Sequence, residues 1–138
     1  MILIDTNIWI YSYLKDGTLS DKATQIIESC ILTNRALIST QNLLEFYSVV
    51  TRKYRQPVSE VNEFLTLLIE SGAVKIVSPS EKAYKNAIAI ASSNSMIGPK
   101  IFDVLISETA IENSVETIYT ENVTDFICNG IDVINPLI

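Results

Sequence analysis

Short apolar runs alternate along the chain with longer stretches of helical periodicity. Five runs have the length of strands, and most of them are rich in β-branched residues: 2–5, 36–39, 74–77, 117–120 and 132–134. Strands that are separated by helices usually lie parallel in one sheet with helices on both faces. The pattern therefore predicts an α/β fold with a central, mainly parallel sheet.

Capping residues, prolines and glycines mark the ends of the intervening helices. The predicted helices begin near Ile8 and otherwise run from Ser20 to about Thr33, from Gln41 to Tyr54, from Ser59 to Ser71-Gly72, from Ser78-Pro79-Ser80-Glu81 to about Ser92, and over 102–113. The segment 78–81 has the pattern of a capping box, with proline at the first helical position.

Acidic residues recur where the strands end or in strongly apolar surroundings. They are Asp5 in ILIDTN, Glu45 in TQNLLEFYSVV, Asp103 in IGPKIFDVLISETA, and Glu121 and Asp125 in IYTENVTDF. Each has a structural explanation, since an aspartate can cap a helix or favour its first turn, and a glutamate can belong to a solvated face. Together they suggest a site, because the carboxyl ends of parallel strands share one edge, where ligands bind.

Carboxylates that meet at such an edge would repel one another unless a cation lies between them. Oxygen ligands without histidine or cysteine suit Mg²⁺ or Mn²⁺. The chain contains no histidine, which excludes histidine bases and imidazole zinc sites. The acids therefore predict a hard-metal site that could activate water and stabilise a phosphodiester's developing charge.

Composition narrows the class of protein. The 138 residues are 48% hydrophobic and 19% charged, as expected for a single globular domain over residues 1–138. The net charge of −6 argues against a basic nucleic-acid scaffold. No apolar run reaches the roughly 18–20 residues of a membrane span, and no basic leader precedes the first strand, so a cytoplasmic protein with free, buried thiols at Cys30 and Cys128 is expected.

In these motifs the sequence resembles the PIN-domain ribonucleases, in particular the VapC-type toxins of toxin–antitoxin pairs. The resemblance covers essentially the whole chain. It rests on LIDTN at 3–7, the glutamate of NLLEFY at 45, IGP at 97–99 followed by FD at 102–103, TENVTDF at 120–126 and INP at 134–136.

The resemblance implies a Rossmann-like α/β/α fold and an endoribonuclease that uses Mg²⁺, or Mn²⁺ in its place. It assigns the core acids to Asp5, Glu45 and Asp103, and the fourth acid to Asp125, with Glu121 as the alternative. The polar residues that hold these acids or the attacking water would be Thr6, Asn7, Thr120 and Asn122. The implied partners are an RNA substrate, a protein antitoxin and a second copy of the chain.

Basic residues and one apolar helix are the remaining candidates for binding. Arg52 and Arg55 flank Tyr54 and could contact RNA phosphates, as could Lys100 beside Asp103. The basic cluster could equally be a favourable helix C-terminus. The segment 63–72 is apolar around most of a helix, which core packing or a protein interface would explain.

Two other functions fit parts of the pattern. A phosphoryl-transfer enzyme could use Asp5 as a nucleophile, although such sites need a second acid two residues on, where this chain has Asn7. A degenerate PIN-like module could bind RNA or protein without catalysis, although the chain keeps all four acids.

Overall fold

The computed structural model describes residues 1–126, 128 and 130–138. Within them the chain forms five strands and six α-helices, with a 3-10 helix before the last strand. In chain order these are β1 Ile2–Ile4, α1 Thr6–Leu14, α2 Thr18–Leu32, β2 Ala36–Ser39, α3 Thr40–Arg52, α4 Val58–Ser71, β3 Lys75–Val77, α5 Glu81–Ser93, α6 Lys100–Glu112, β4 Thr117–Tyr119, the 3-10 helix Val123–Asp125, and β5 Asp132–Ile134.

The strands form one sheet in the order β3-β2-β1-β4-β5, and every neighbouring pair is parallel. In the central strand, Leu3 lies opposite Leu37 of β2 and Ile118 of β4. The chain builds outward from β1 to β3 and then returns to the other side of β1. The crevice between β1 and β4 is therefore the topological switch point, where open α/β sheets bind their ligands.

Alternation along the strands divides the core into two helix layers. Ile2 and Ile4 face a cluster formed with residues of α1 to α4, whereas Leu3 faces Ile106 and Ala110 of α6 on the other side. Leu3 and Ile4 are fully buried, and burial of such a side chain stabilises a fold by roughly 1.5–3 kcal/mol. The predicted α/β/α architecture with a parallel central sheet is confirmed.

The first layer also contains the protein's only tryptophan. Trp9 is buried in α1, and its Nε1 donates a hydrogen bond of 3.1 Å to the carbonyl oxygen of Ile4. This bond fastens the first turns of α1 to the end of β1.

Several predicted boundaries were wrong by a few residues. Asp5 is the N-cap of α1 and not the last residue of a strand. Ser20 does not cap α2, because that helix begins at Thr18 after Gly17, and Ser20 is buried inside its first turn. The third helix begins one residue earlier and ends two residues earlier than predicted.

The capping box before α5 was assigned to the wrong serine. Ser80 is the N-cap, and its hydroxyl accepts a hydrogen bond from Ala83 N. Pro79 therefore precedes the cap instead of opening the helix. Lys100 lies in the first turn of α6, before the predicted start at 102, so Asp103 also lies in that turn.

Charged groups pair with one another at the amino edge of the sheet, where the parallel strands begin. At the amino edge, Glu116 forms ion pairs with the N-terminal ammonium at 3.8 Å and with Arg35 at 3.2 Å.

Both cysteines are free, Cys30 being buried and Cys128 half-buried. No helix in the described ranges combines the length and apolar character needed to cross a bilayer.

Candidate functional site

A pocket of about 340 Å³ opens where β1 ends. Three separate chain segments each contribute an acid to its wall, namely Asp5 after β1, Glu45 on α3 and Asp103 on α6. The full lining is Asp5, Thr6, Asn7, Ile10, Glu45, Ser48, Val49, Asp103 and Asn122. The fold thus brings together three of the five acids that the sequence singled out.

The Asp5 carboxylate is buried and held from four sides. Its Oδ1 accepts from Thr6 N at 2.8 Å and from Asn42 Nδ2 at 3.2 Å. Its Oδ2 accepts from the Thr120 hydroxyl at 2.7 Å and from Asn7 Nδ2 at 3.3 Å. Burial raises the pKa of Asp5; the hydrogen bonds from Thr120, Thr6 and Asn42 oppose the rise, and the charge of Asp125 adds to it.

Asn7 and Thr120 hold each other as well as Asp5. Asn7 Nδ2 also lies 3.4 Å from the Thr120 hydroxyl, and its Oδ1 accepts from Glu121 N at 3.2 Å. The Thr120 hydroxyl accepts from Asn122 N at 3.0 Å, so its proton is directed to Asp5. These polar side chains fix the loop after β4 against the end of β1.

Glu45 is fixed by two donors from different segments. Its Oε2 accepts from the Thr6 hydroxyl at 2.9 Å, and its Oε1 accepts from Gln41 Nε2 at 3.2 Å. Gln41 Nε2 also donates to the carbonyl of Phe102 at 2.9 Å, which joins α3 to the first turn of α6. Burial raises the pKa of Glu45, and the charge of Asp5 adds to the rise.

The pKa of Asp103, the third acid of the pocket, is raised as well. Burial, followed by the negative charges of Asp125, Asp5 and Glu45, raises its pKa to about 6. The described residues show no ion pair between a basic side chain and any of these acids. The pocket therefore carries like charges that no basic side chain in the described part of the chain pairs with.

The two candidates for the fourth acid lie in different surroundings. Asp125, at the end of the 3-10 helix, is close enough for its charge to raise the pKa of both Asp5 and Asp103. It lines a neighbouring cavity together with Lys100. The Glu121 carboxylate instead accepts from the Tyr11 hydroxyl at 3.0 Å to each oxygen, on the exposed side of α1. Neither residue is part of the lining of the acid pocket itself.

The donor set suits a hard divalent cation, because carboxylate, hydroxyl and amide oxygens surround the pocket. Within residues 1–126, 128 and 130–138, however, no three acid or cysteine side chains are already grouped as an ion-binding cluster. Mg²⁺ is commonly held by one or two carboxylates, with water completing its octahedron, so a preformed cluster is not required. The weakest bond to Asp5, from Asn7, is the one that an ion would most easily displace.

The basic residues lie beyond the pocket. Arg52 is exposed in the last turn of α3, one turn after Ser48, which lines the pocket. Arg55 lies outside the helix at a φ of 51°, and Lys53 Nζ lies 5.2 Å from the centroid of the Tyr54 ring. The face of α3 that carries Glu45 thus continues toward Arg52. Arg55 does not line the acid pocket.

Sequence reasoning missed Asn42, which is fully buried and donates to both Asp5 and Thr6. A signal was present, since Asn42 shares a spacing of four with Phe46 and Val50 on the apolar face of α3. A polar side chain on a buried face needs hydrogen-bond partners.

Comparison with known proteins identifies the fold family. The family model described as PIN domain matches residues 2–126. No curated protein gives a significant match.

Solved structures with a similar fold include one that is described as a toxin. The VapC20 toxin of Mycobacterium tuberculosis, described as cleaving the sarcin-ricin loop, superposes with a TM-score of 0.66 at 10% identity, covering 87% of this chain and 88% of its own. VapBC2 from Rickettsia felis, bound to a promoter DNA fragment, gives 0.68 at 21% identity, covering 97% and 98%. FitAcB from Neisseria gonorrhoeae gives 0.66 at 21% identity, covering 99% and 98%.

Proposed function

This chain belongs to the PIN domain family, and on that premise we propose that it is a Mg²⁺- or Mn²⁺-dependent endoribonuclease and the toxin of a toxin–antitoxin pair. The observation that carries the proposal is the pocket at the end of β1. Acids from three chain segments line it, and their mutual repulsion calls for a cation.

In this mechanism Asp5, Glu45 and Asp103 hold the metal, with Asp125 as the fourth acid. When bound, Mg²⁺ or Mn²⁺ lowers the pKa of water and stabilises negative charge on the phosphate. Thr6, Asn7, Thr120 and Asn122 keep the carboxylates in place through the hydrogen bonds described above. We assign contacts with RNA phosphates to Arg52, Arg55 and Lys100. This assignment is supported for Arg52 by its place one turn beyond Ser48 of the pocket, and for Lys100 by its place in the neighbouring cavity.

The protein partners are proposed on two grounds. The similar VapC20 is described as a toxin, and the names VapBC2 and FitAcB each join two components, which supports an antitoxin for this chain. Several apolar side chains are also exposed, among them Leu44 on α3 and Leu67 and Ile69 on α4. The apolar helix in 63–72 therefore packs only one face on the core, and its other face is free for an antitoxin or a second copy.

RNA cleavage by the purified protein tests the activity. We expect hydrolysis in Mg²⁺ or Mn²⁺ that stops in EDTA, loss of cleavage in Asp5→Asn, and normal cleavage in Asp21→Asn, which removes an exposed charge from α2. Binding of RNA without cleavage in any metal would favour the non-catalytic module. A phospho-enzyme that is cleaved by alkali and by hydroxylamine, as an aspartyl phosphate is, would favour the aspartate-nucleophile alternative.

Growth of a host cell tests the toxin role. Expression of the wild type without a partner should slow growth, and Asp5→Asn should relieve the effect at equal protein level. Equal growth of cells that express the two forms would contradict the role of toxin.

A further inference from the structure

The fully buried amide of Asn42 lies behind the acid pocket and contacts two of its residues. We propose that Asn42 is a positioning residue that fixes Asp5 directly and Glu45 through Thr6, and so sets the affinity of the pocket for its metal. This inference rests on the proposed function.

Asn42 is the first donor in a chain of hydrogen bonds that ends at the two acids Asp5 and Glu45. Its Nδ2 donates to Asp5 Oδ1 at 3.2 Å and to the Thr6 hydroxyl at 3.0 Å. The Thr6 oxygen accepts that bond, so its own proton is available for Glu45 Oε2, 2.9 Å away. One amide thus determines the orientation of two acids that come from different parts of the chain.

The other end of the amide fixes its orientation. Asn42 Oδ1 accepts from Ser39 N at 3.2 Å in the capping box of α3. This contact distinguishes the oxygen from the nitrogen of the side chain, because a flipped amide would place two donors face to face. The cap of α3 and the acid pocket are therefore joined in one side chain.

If Asn42 had a purely structural role, only its hydrogen bond in the cap of α3 would matter. The capping box contains a second, separate bond, in which the Ser39 hydroxyl accepts from Gln41 N at 3.2 Å. Ser39→Ala removes that bond without touching Asp5 or Thr6, whereas Asn42→Ala removes the bonds to both. The two variants separate the cap from the positioning of the acids.

The test is a Mn²⁺ titration of wild type, Ser39→Ala and Asn42→Ala with two readouts, the rate of RNA cleavage and the melting temperature of the RNA-free protein. Groups that orient metal ligands typically change affinity by about 10–100-fold when they are removed. We expect Asn42→Ala to need at least about tenfold more Mn²⁺ for half-maximal cleavage and for the same increase in melting temperature. Ser39→Ala should stay within about twofold of wild type.

The outcomes are distinguishable. If wild type neither cleaves RNA nor responds to Mn²⁺, the proposed function fails. If wild type responds and Asn42→Ala titrates like Ser39→Ala, Asn42 is only a helix cap and the inference is overturned. If Asn42→Ala does not fold, Thr6→Val decides, because a wild-type titration in that variant would exclude the path from Asn42 through Thr6 to Glu45.

Discussion

At the scale of single residues, the acid pocket combines burial with like charge. At Asp103, burial and the charges of Asp125, Asp5 and Glu45 raise the pKa to about 6. An acid with a raised pKa stabilises the fold while it is protonated. That stability is fully present below the ordinary pKa near 3.8 and is lost as the pH rises through about 6.

Replacement of Asp103 by asparagine should therefore change the pH dependence of stability in EDTA. We expect wild type to lose about 1 kcal/mol relative to Asp103→Asn between pH 5 and pH 7.5, a value reduced for the partial exposure of the side chain. Urea unfolding at the two pH values measures the difference. Parallel pH profiles, or a clear loss of stability in Asp103→Asn at pH 7.5, would make Asp103 a helix-terminal residue without charge repulsion.

Sequence reasoning found the acids and part of the groups that hold them. Asp5, Glu45 and Asp103 could be predicted to share a site because each follows a strand or stands out from apolar surroundings, and the resemblance added Thr6, Asn7 and Thr120, which do contact Asp5 or Glu45. Asn42 and Gln41 could not be assigned in this way, because their roles depend on which atoms of α1 and α6 face α3. The bond between Glu121 and the Tyr11 hydroxyl likewise could not be predicted, because sequence spacing does not locate that hydroxyl.

At the scale of elements, helix ends account for most of the wrong boundaries. The start of α5 shows the reason, since Ser78 and Ser80 both precede an acid or a proline in a way typical of caps. Only the backbone conformation determines which of the two serines is the N-cap of α5. The extended conformation of Ser80 and its bond to Ala83 N identify it as the cap.

The two serines give a matched test of that assignment. Ser80→Ala should lower the free energy of unfolding by about 1 kcal/mol, because it removes the cap and a hydroxyl that donates to Glu112. Ser78→Ala should have little effect, since Ser78 is exposed. Thermal unfolding of both variants measures the effect, and an equal loss in the two would contradict the role of Ser80.

Helix α3 extends from the acid pocket to the basic cluster, which suggests a path for RNA. Removal of Arg52 and Arg55 together should weaken binding of RNA to the inactive Asp5→Asn protein. It should also reduce the salt dependence by about 0.7–0.9 units of slope for each lost phosphate contact. Lys82→Ala with Lys85→Ala removes the same charge from exposed positions on α5 and serves as the control. Equal slopes in the two double variants would contradict a contact between the arginines and RNA phosphates, and would leave the arginines a structural role.

At the scale of the whole molecule, the topology determines where charge collects. The amino edge of the sheet pairs its charges through Glu116, whereas the carboxyl edge gathers acids at the switch point between β1 and β4. The order of strands and helices was predictable from the alternation of short and long apolar segments. The strand order was not, because the pattern does not state on which side of β1 the chain returns.

Metal binding should therefore stabilise the whole fold. One ion bound only by the folded protein adds about 1.4 kcal/mol of stability for each tenfold rise in free metal above its dissociation constant. Because three acids line one pocket, we expect this slope for Mn²⁺, and a slope near zero in Asp5→Asn. Chemical unfolding at several Mn²⁺ concentrations measures it. Twice the slope would indicate two ions, and no dependence would contradict a metal site.

The bond between Trp9 and the carbonyl of Ile4 has a spectroscopic consequence. The indole is anchored to the residue that directly precedes Asp5, and the sequence contains no second tryptophan. Its fluorescence therefore comes from one known place beside the pocket. Mn²⁺ is paramagnetic and quenches nearby emitters, whereas Mg²⁺ is not, so the native protein contains its own optical reporter of which ion has bound.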